Sequence, residues 1–131
     1  MEDCQQILFI CSGNYYRSRF AEEYFNHVAE VNQWRARAHS KGFRPNPQRN
    51  PGPISPYALA GLAERNIPAR QAQRMPEPLS EGDFSVYSRV IAMSESEHRP
   101  MMRERFPNHE NKIEYFLVED LHLEPAEVAL P

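Results

Sequence analysis

Ile7-Leu8-Phe9-Ile10-Cys11-Ser12-Gly13-Asn14-Tyr15-Tyr16-Arg17-Ser18 joins an apolar run to a polar loop, and the loop to a helical repeat. Four consecutive apolar residues, two of them β-branched, fit a central strand covered on both faces. Phe20, Ala21, Tyr24, Phe25 and Val28 then recur at helical spacing. Between the two, Gly13 permits close backbone approach and Asn14 tolerates the left-handed region, so successive N–H groups can turn inward at a helix N-terminus. A doubly charged oxyanion suits such a nest. Cys11 at its floor would feel the helix dipole, the converging amides and the Arg17 guanidinium, all of which favour the thiolate. Arg17 can grip two phosphoryl oxygens from the side. Cys11 and Arg17 are therefore candidate catalytic residues, and Ser12, Gly13, Asn14, Tyr15, Tyr16 and Ser18 candidate substrate-binding residues. Ser18 is placed to donate a hydrogen bond to the sulfur.

The rest of the chain alternates strands and helices. The spacing predicts a first helix over 17–32 and a second strand over 34–40, followed by a stiff surface connection carrying Pro45, Pro47, Pro51, Pro53 and Pro56. Ser55-Pro56 reads as an N-cap with proline at the first helical position, opening a helix as far as Asn66. Ser80 to Asp83 opens a short helical turn carrying Phe84 and Tyr87, and 89–93 reads as a third strand. Ser94-Glu95-Ser96-Glu97 has the form of a capping box for a helix toward Phe106, stopped by Pro107 and Asn108. A fourth strand is expected over 113–118. This pattern predicts an α/β fold, an open parallel sheet of about four strands with right-handed crossovers and flanking helices, over one domain spanning 1–131. Cys11, Ser40, Ser94 and Asp120 each follow a strand and so share the carboxyl edge, where such sheets bind ligands.

Bulk properties narrow the function. A chain of 131 residues can bury about two thirds of its unfolded surface and fold without staples. Net charge −3, from 15 basic and 18 acidic residues, argues against a nucleic-acid partner. No apolar run approaches ~18 residues and no basic-then-apolar N-terminus is present, so no membrane partner or export signal is expected and the reading is cytoplasmic. Cys4 and Cys11 would lie roughly 23 Å apart on an extended strand, too far for a disulfide. His27, His39, His98, His109 and His122 show no metal-ligand spacing and read as surface residues, so neither metal nor cofactor is called for. Met93, Met101 and Met102 read as core filling.

Cys-x5-Arg-Ser with Gly-Asn at the second and third intervening positions, directly after a strand, resembles the low-molecular-weight protein tyrosine phosphatases. Ala21-Glu22, Ser40-x-Gly42, Leu59 through Ile67 and Val90-Ile91-Ala92-Met93 extend the resemblance to about residues 5–120. It implies strand order 2-1-3-4, a phosphocysteine intermediate on Cys11, Asn14 holding the loop with Ser40 as supporting partner, and Asp120 as general acid. Several residues depart from the family pattern. Leu121 and His122 follow Asp120 in place of proline and aromatics. Tyr15 and Tyr16 replace smaller residues, Tyr16 standing where the family has a second cysteine; Tyr15 can either wall the pocket for a substrate ring or obstruct it. Arg19 stands where proline is usual, and Ser94 where aspartate is usual. Eleven residues follow Asp120, which implies a short or missing closing helix. The resemblance implies a hydrolase of phosphotyrosine in proteins or of small aryl phosphates. Two alternatives stay open: a catalytically weak phosphate-binding module, and an arsenate reductase using an external thiol. Substrate identity and oligomeric state are not legible.

Overall fold

The structure, a computed structural model, describes residues 5–116. Cys4, the end of the expected fourth strand beyond residue 116, Asp120 and the closing helix lie outside the described residues. Four strands, β1 (Gln6–Cys11), β2 (Arg37–Gly42), β3 (Arg89–Ala92) and β4 (Glu114–Tyr115), form one parallel sheet in the order β2-β1-β3-β4. Among the described residues four α-helices accompany them, α1 (Arg17–Val31), α2 (Pro56–Glu64), the short α3 (Asp83–Val86) and α4 (Glu95–Arg105), with a 3-10 turn at Pro107–His109.

β1 is central because both its faces are apolar. Leu8 and Ile10 pack with Val90, Ala92, Phe43, Leu79, Met102 and Phe106 on one side. Ile7 and Phe9 meet Ala38 and Ile91 on the other, where Ala21 and Phe25 of α1 cover them. The alternation is the period-2 geometry of a strand. α1 uses a further stripe, through Phe20, to pack on Ile54 and on Ala58 and Leu62 of α2, so it is held between sheet and second helix.

α2 starts where the sequence places it: the Ser55 side chain accepts from the Tyr57 N–H at 3.1 Å, and Pro56 occupies the first turn. β2 differs from expectation, beginning at Arg37 and not at Trp34. α1 ends by turning Gln33 to a φ of 58°, and the Trp34 N–H returns to the Ala29 carbonyl at 2.8 Å. This left-handed helix exit consumes the amide that a strand would need. The first ladder bond is therefore Arg37 N–H to the Gln5 carbonyl, 2.9 Å. The Trp34 ring instead lies against Phe25, with centroids 5.9 Å apart. No described helix is long and apolar enough to cross a membrane.

Candidate active site

The loop from Cys11 to Arg17 leaves the carboxyl end of β1 and enters α1. Tyr16, at the N-cap position, makes no side-chain capping bond, and an oxyanion suits that place. The Cys11 and Ser12 carbonyls accept from the N–H groups of Phe43 and Arg44 at 3.0 and 2.8 Å, which fastens the loop to the chain leaving β2. Gly42 makes this approach possible, since a Cβ there would lie 2.7 Å from the Asn14 nitrogen and 2.9 Å from the Gly13 carbonyl carbon.

Asn14 sits at φ 52° and is fully buried. Its amide donates to Ser18 Oγ at 2.9 Å and to Ser40 Oγ at 2.8 Å, and its Oδ1 accepts from the Glu77 N–H at 2.9 Å. Ser18 Oγ lies 3.0 Å from Cys11 Sγ. When the sulfur is a thiolate it has no proton to give, so Ser18 is the donor. Ser40 donates on to Glu22 at 2.5 Å and accepts from Arg74 at 2.9 Å. Cys11, Asn14, Ser18 and Ser40 thus form one buried hydrogen-bonded chain. Cys11 is a free thiol, and among the described residues no group of three or more His, Cys, Asp or Glu side chains is placed to hold a metal ion.

Arg17 and Ser12 meet a residue that the sequence presents only as a helix cap. Ser94 does cap α4, accepting from the Glu97 N–H at 3.3 Å. A capping box would also bring the Glu97 carboxylate back to the Ser94 N–H. That N–H is taken by His98 Nδ1 at 3.1 Å, so half of the expected box is absent. Glu97 Oε2 instead accepts from Arg17 Nη2 at 2.8 Å and Ser12 Oγ at 2.6 Å. His98 is no surface histidine: it is fully buried and stacked on Phe43. With Nδ1 accepting, the proton on its ring belongs to Nε2, which donates to Ser12 Oγ at 3.3 Å. The bond from His98, against the opposing effect of burial, and those from Arg17 and Ser12 hold the Glu97 carboxyl far below the usual carboxylate range. A group held ionised in this way cannot serve as a general acid near neutrality.

The tyrosines go separate ways. The Tyr15 hydroxyl donates to the Pro51 carbonyl at 2.7 Å, and its own carbonyl accepts from Ser55 N–H at 2.9 Å. Tyr16 packs against the Phe20, Ile54 and Leu62 cluster. Asn50 reaches Gly13 closely enough that a Cβ there would lie 2.9 Å from its Nδ2. The proline-rich connection is therefore fastened to the loop, a role its composition does not reveal. Arg19 adds to that fastening: fully buried, it donates to the carbonyls of Pro53 (3.1 Å), Gln71 (2.7 Å) and Arg74 (3.0 Å).

Known proteins share this fold. Residues 6–129 match the family described as low molecular weight phosphotyrosine protein phosphatase. A protein-arginine-phosphatase of Bacillus subtilis (strain 168) is 28% identical over 107 residues, covering 82% of this chain and 67% of the relative. The solved low molecular weight protein tyrosine phosphatase from T. tengcongensis superimposes with a TM-score of 0.74 at 27% identity, over 95% of this chain and 87% of that one. A mutant of YwlE from Bacillus subtilis gives 0.75 at 23% identity, over 95% and 86%. The chain belongs to the low molecular weight phosphotyrosine protein phosphatase family and is a cysteine-dependent phosphatase.

Proposed function

We propose that the protein hydrolyses phosphotyrosine in proteins, or a related aryl phosphate, through a phosphocysteine on Cys11. The observation that carries this reading is the sulfur at the end of the Cys11, Ser18, Asn14 chain, in a loop closed by Arg17. The thiolate attacks phosphorus, a P–S bond forms as the P–O bond breaks, and the leaving phenolate takes a proton from Asp120. Water then attacks the phosphocysteine, gives its proton to the Asp120 carboxylate, and the sulfur departs as thiolate with Ser18 donating to it. Arg17 and the loop amides stabilise the equatorial oxygens in both steps. Tyr15, braced by its bond to Pro51, supports the aromatic preference as a wall against which a substrate ring can stack. A reducing, cytoplasmic setting suits a free thiol nucleophile.

A second substrate, phosphoarginine, is favoured by the Bacillus subtilis relative. Phosphate release from phosphotyrosine and phosphoarginine peptides, alongside p-nitrophenyl phosphate, decides between them. Cys11→Ser is expected to abolish turnover and Asp120→Asn to slow it about 10²-fold or more. Turnover surviving in Cys11→Ser overturns the mechanism; preference for the phosphoarginine peptide overturns the substrate.

A further inference from the structure

We propose that Glu97 is a positioning residue for this phosphatase: from the first turn of α4 it holds Arg17 and Ser12 in place to receive the transition state. The inference rests on the phosphatase reading of the loop. Its starting point is the unusual division of labour at the α4 N-terminus. Ser-x-x-Glu ordinarily spends its glutamate on the helix's own backbone; here His98 Nδ1 satisfies the Ser94 N–H, and the Glu97 carboxylate is released to face the loop.

One oxygen, Oε2, then receives Arg17 Nη2 and Ser12 Oγ, with His98 Nε2 at 3.5 Å. Ser12 is oriented from both sides, accepting from His98 and donating to Glu97. The other oxygen, Oε1, is buried without a hydrogen-bond partner among the described residues. A carboxylate in this position carries a desolvation cost that helix capping alone would not require. It is repaid if one end of a planar fork is pinned so that the guanidinium plane is fixed before phosphate arrives. α4 lies on the sheet face opposite α1, so the clamp is held from both sides of the sheet: α1 carries Arg17 and α4 aims it.

Positioning and competition make opposite predictions. A carboxylate that aims Arg17 strengthens binding of a trigonal-bipyramidal oxyanion more than that of a tetrahedral one. A carboxylate that merely occupies an oxyanion place weakens both. The experiment compares wild type, Glu97→Gln and Ser12→Ala, with Glu104→Gln on the same helix as control, by steady-state hydrolysis of p-nitrophenyl phosphate and by inhibition with orthovanadate and inorganic phosphate. Glu97→Gln is expected to lower kcat about tenfold with a smaller change in KM, and to weaken orthovanadate about tenfold but phosphate no more than about threefold. Ser12→Ala should move the same quantities in the same direction by less, and serves if Glu97→Gln does not fold; Glu104→Gln should leave them unchanged. Unaltered kcat and vanadate inhibition in folded Glu97→Gln, or tighter binding of both anions, overturns the inference. A wild type that neither turns over nor binds vanadate overturns the phosphatase reading itself, and this inference with it.

Discussion

At the scale of single residues, Asn14 carries two separable burdens. Its backbone stands in the left-handed region at φ 52°, and its amide joins Ser18, Ser40 and the Glu77 backbone. Asn14→Gly loses only the amide, since glycine adopts this φ freely, whereas Asn14→Ala keeps a Cβ in the left-handed region without the side-chain hydrogen bonds that let asparagine stand there, at about 1–2 kcal/mol. Both variants leave buried groups unpaired at about 1–3 kcal/mol. Urea unfolding is therefore expected to rank wild type above Asn14→Gly, and Asn14→Gly above Asn14→Ala by about 1 kcal/mol. Turnover should fall in both, since Ser18 loses the donor that orients it toward Cys11 Sγ. Wild-type turnover in Asn14→Gly would mean that the amide does not organise the site. A similar contrast separates two glycines. A Cβ on Gly13 would clash with the far end of the Asn50 side chain and otherwise make an ordinary contact with Tyr15 Cβ, while one on Gly42 would clash with the backbone of Gly13 and Asn14. Gly42→Ala should cost about 1–3 kcal/mol and most of the activity, and Gly13→Ala less of each. The reverse order in paired melts and assays would contradict the close approach of β2 to the loop.

At the scale of elements, α1 does more than present Arg17. Arg19, fully buried in its first turn, ties the helix to the proline-rich connection and to the segment around Gln71 and Arg74. Burial first, and then the charge of Arg74, pull its guanidinium below the usual arginine value, with Glu22 and Glu23 opposing them. Replacing it by Met leaves three carbonyls without donors and two carboxylates short of a cation, and loss of one partner of a buried pair costs about 3–5 kcal/mol. Arg19→Met is expected to unfold at lower urea by that order; a loss under about 1 kcal/mol would show that the connection holds itself. The i,i+3 and i,i+4 spacing to Glu22 and Glu23 is local, but nothing around Arg19 forecasts the tie to the connection, because the carbonyls it donates to lie more than thirty residues away. The same distinction explains what was legible elsewhere. α2 with its Ser55-Pro56 start and the Cys11 loop rest on local pattern, and they stand where the sequence puts them; the strand order, which the family resemblance implies and local pattern does not reveal, stands as well. The loop's contacts with Ser40 follow from parallel strands ending at one edge. Glu97 and His98 were hidden because Ser-x-x-Glu is a sufficient local explanation of itself, and only the fold brings Arg17 to compete for the carboxylate. Trp34 misled in the other direction: its alternation with Ala36 and Ala38 was overridden by the helix exit at Gln33.

At the scale of the whole molecule, the ionisation of Glu97 links the site to stability. Its carboxyl is held far below the usual range by the bonds from His98, Arg17 and Ser12. In the unfolded chain the same group returns to about 4.3. Below that pH the unfolded state binds a proton that the native state does not, so stability rises with pH through the acid range and the Glu97 contribution is fully present above it. Each unit of acidification below about 4.3 should remove up to about 1.4 kcal/mol of that contribution. Glu77, depressed by His39 and Arg74 against its burial, adds in the same direction, as does Glu114 through Arg89. The pairs differ in exposure: Arg89 and Glu114 are each half exposed, against 15% and 22% for Arg17 and Glu97. Salt near 1 M shortens the screening length to about 3 Å and should erase the exposed pair first. Unfolding of wild type and Glu97→Gln, measured from pH 7 to pH 3 in low and high salt, therefore has a defined outcome. Wild type should be the more stable at pH 7, and the gap should narrow as pH falls below about 4.3, with the narrowing surviving in high salt. A gap that stays constant with pH would mean that Glu97 keeps an ordinary pKa and does not hold Arg17 as an ion pair. A narrowing that vanishes in salt would place its interactions at the surface and not within the site.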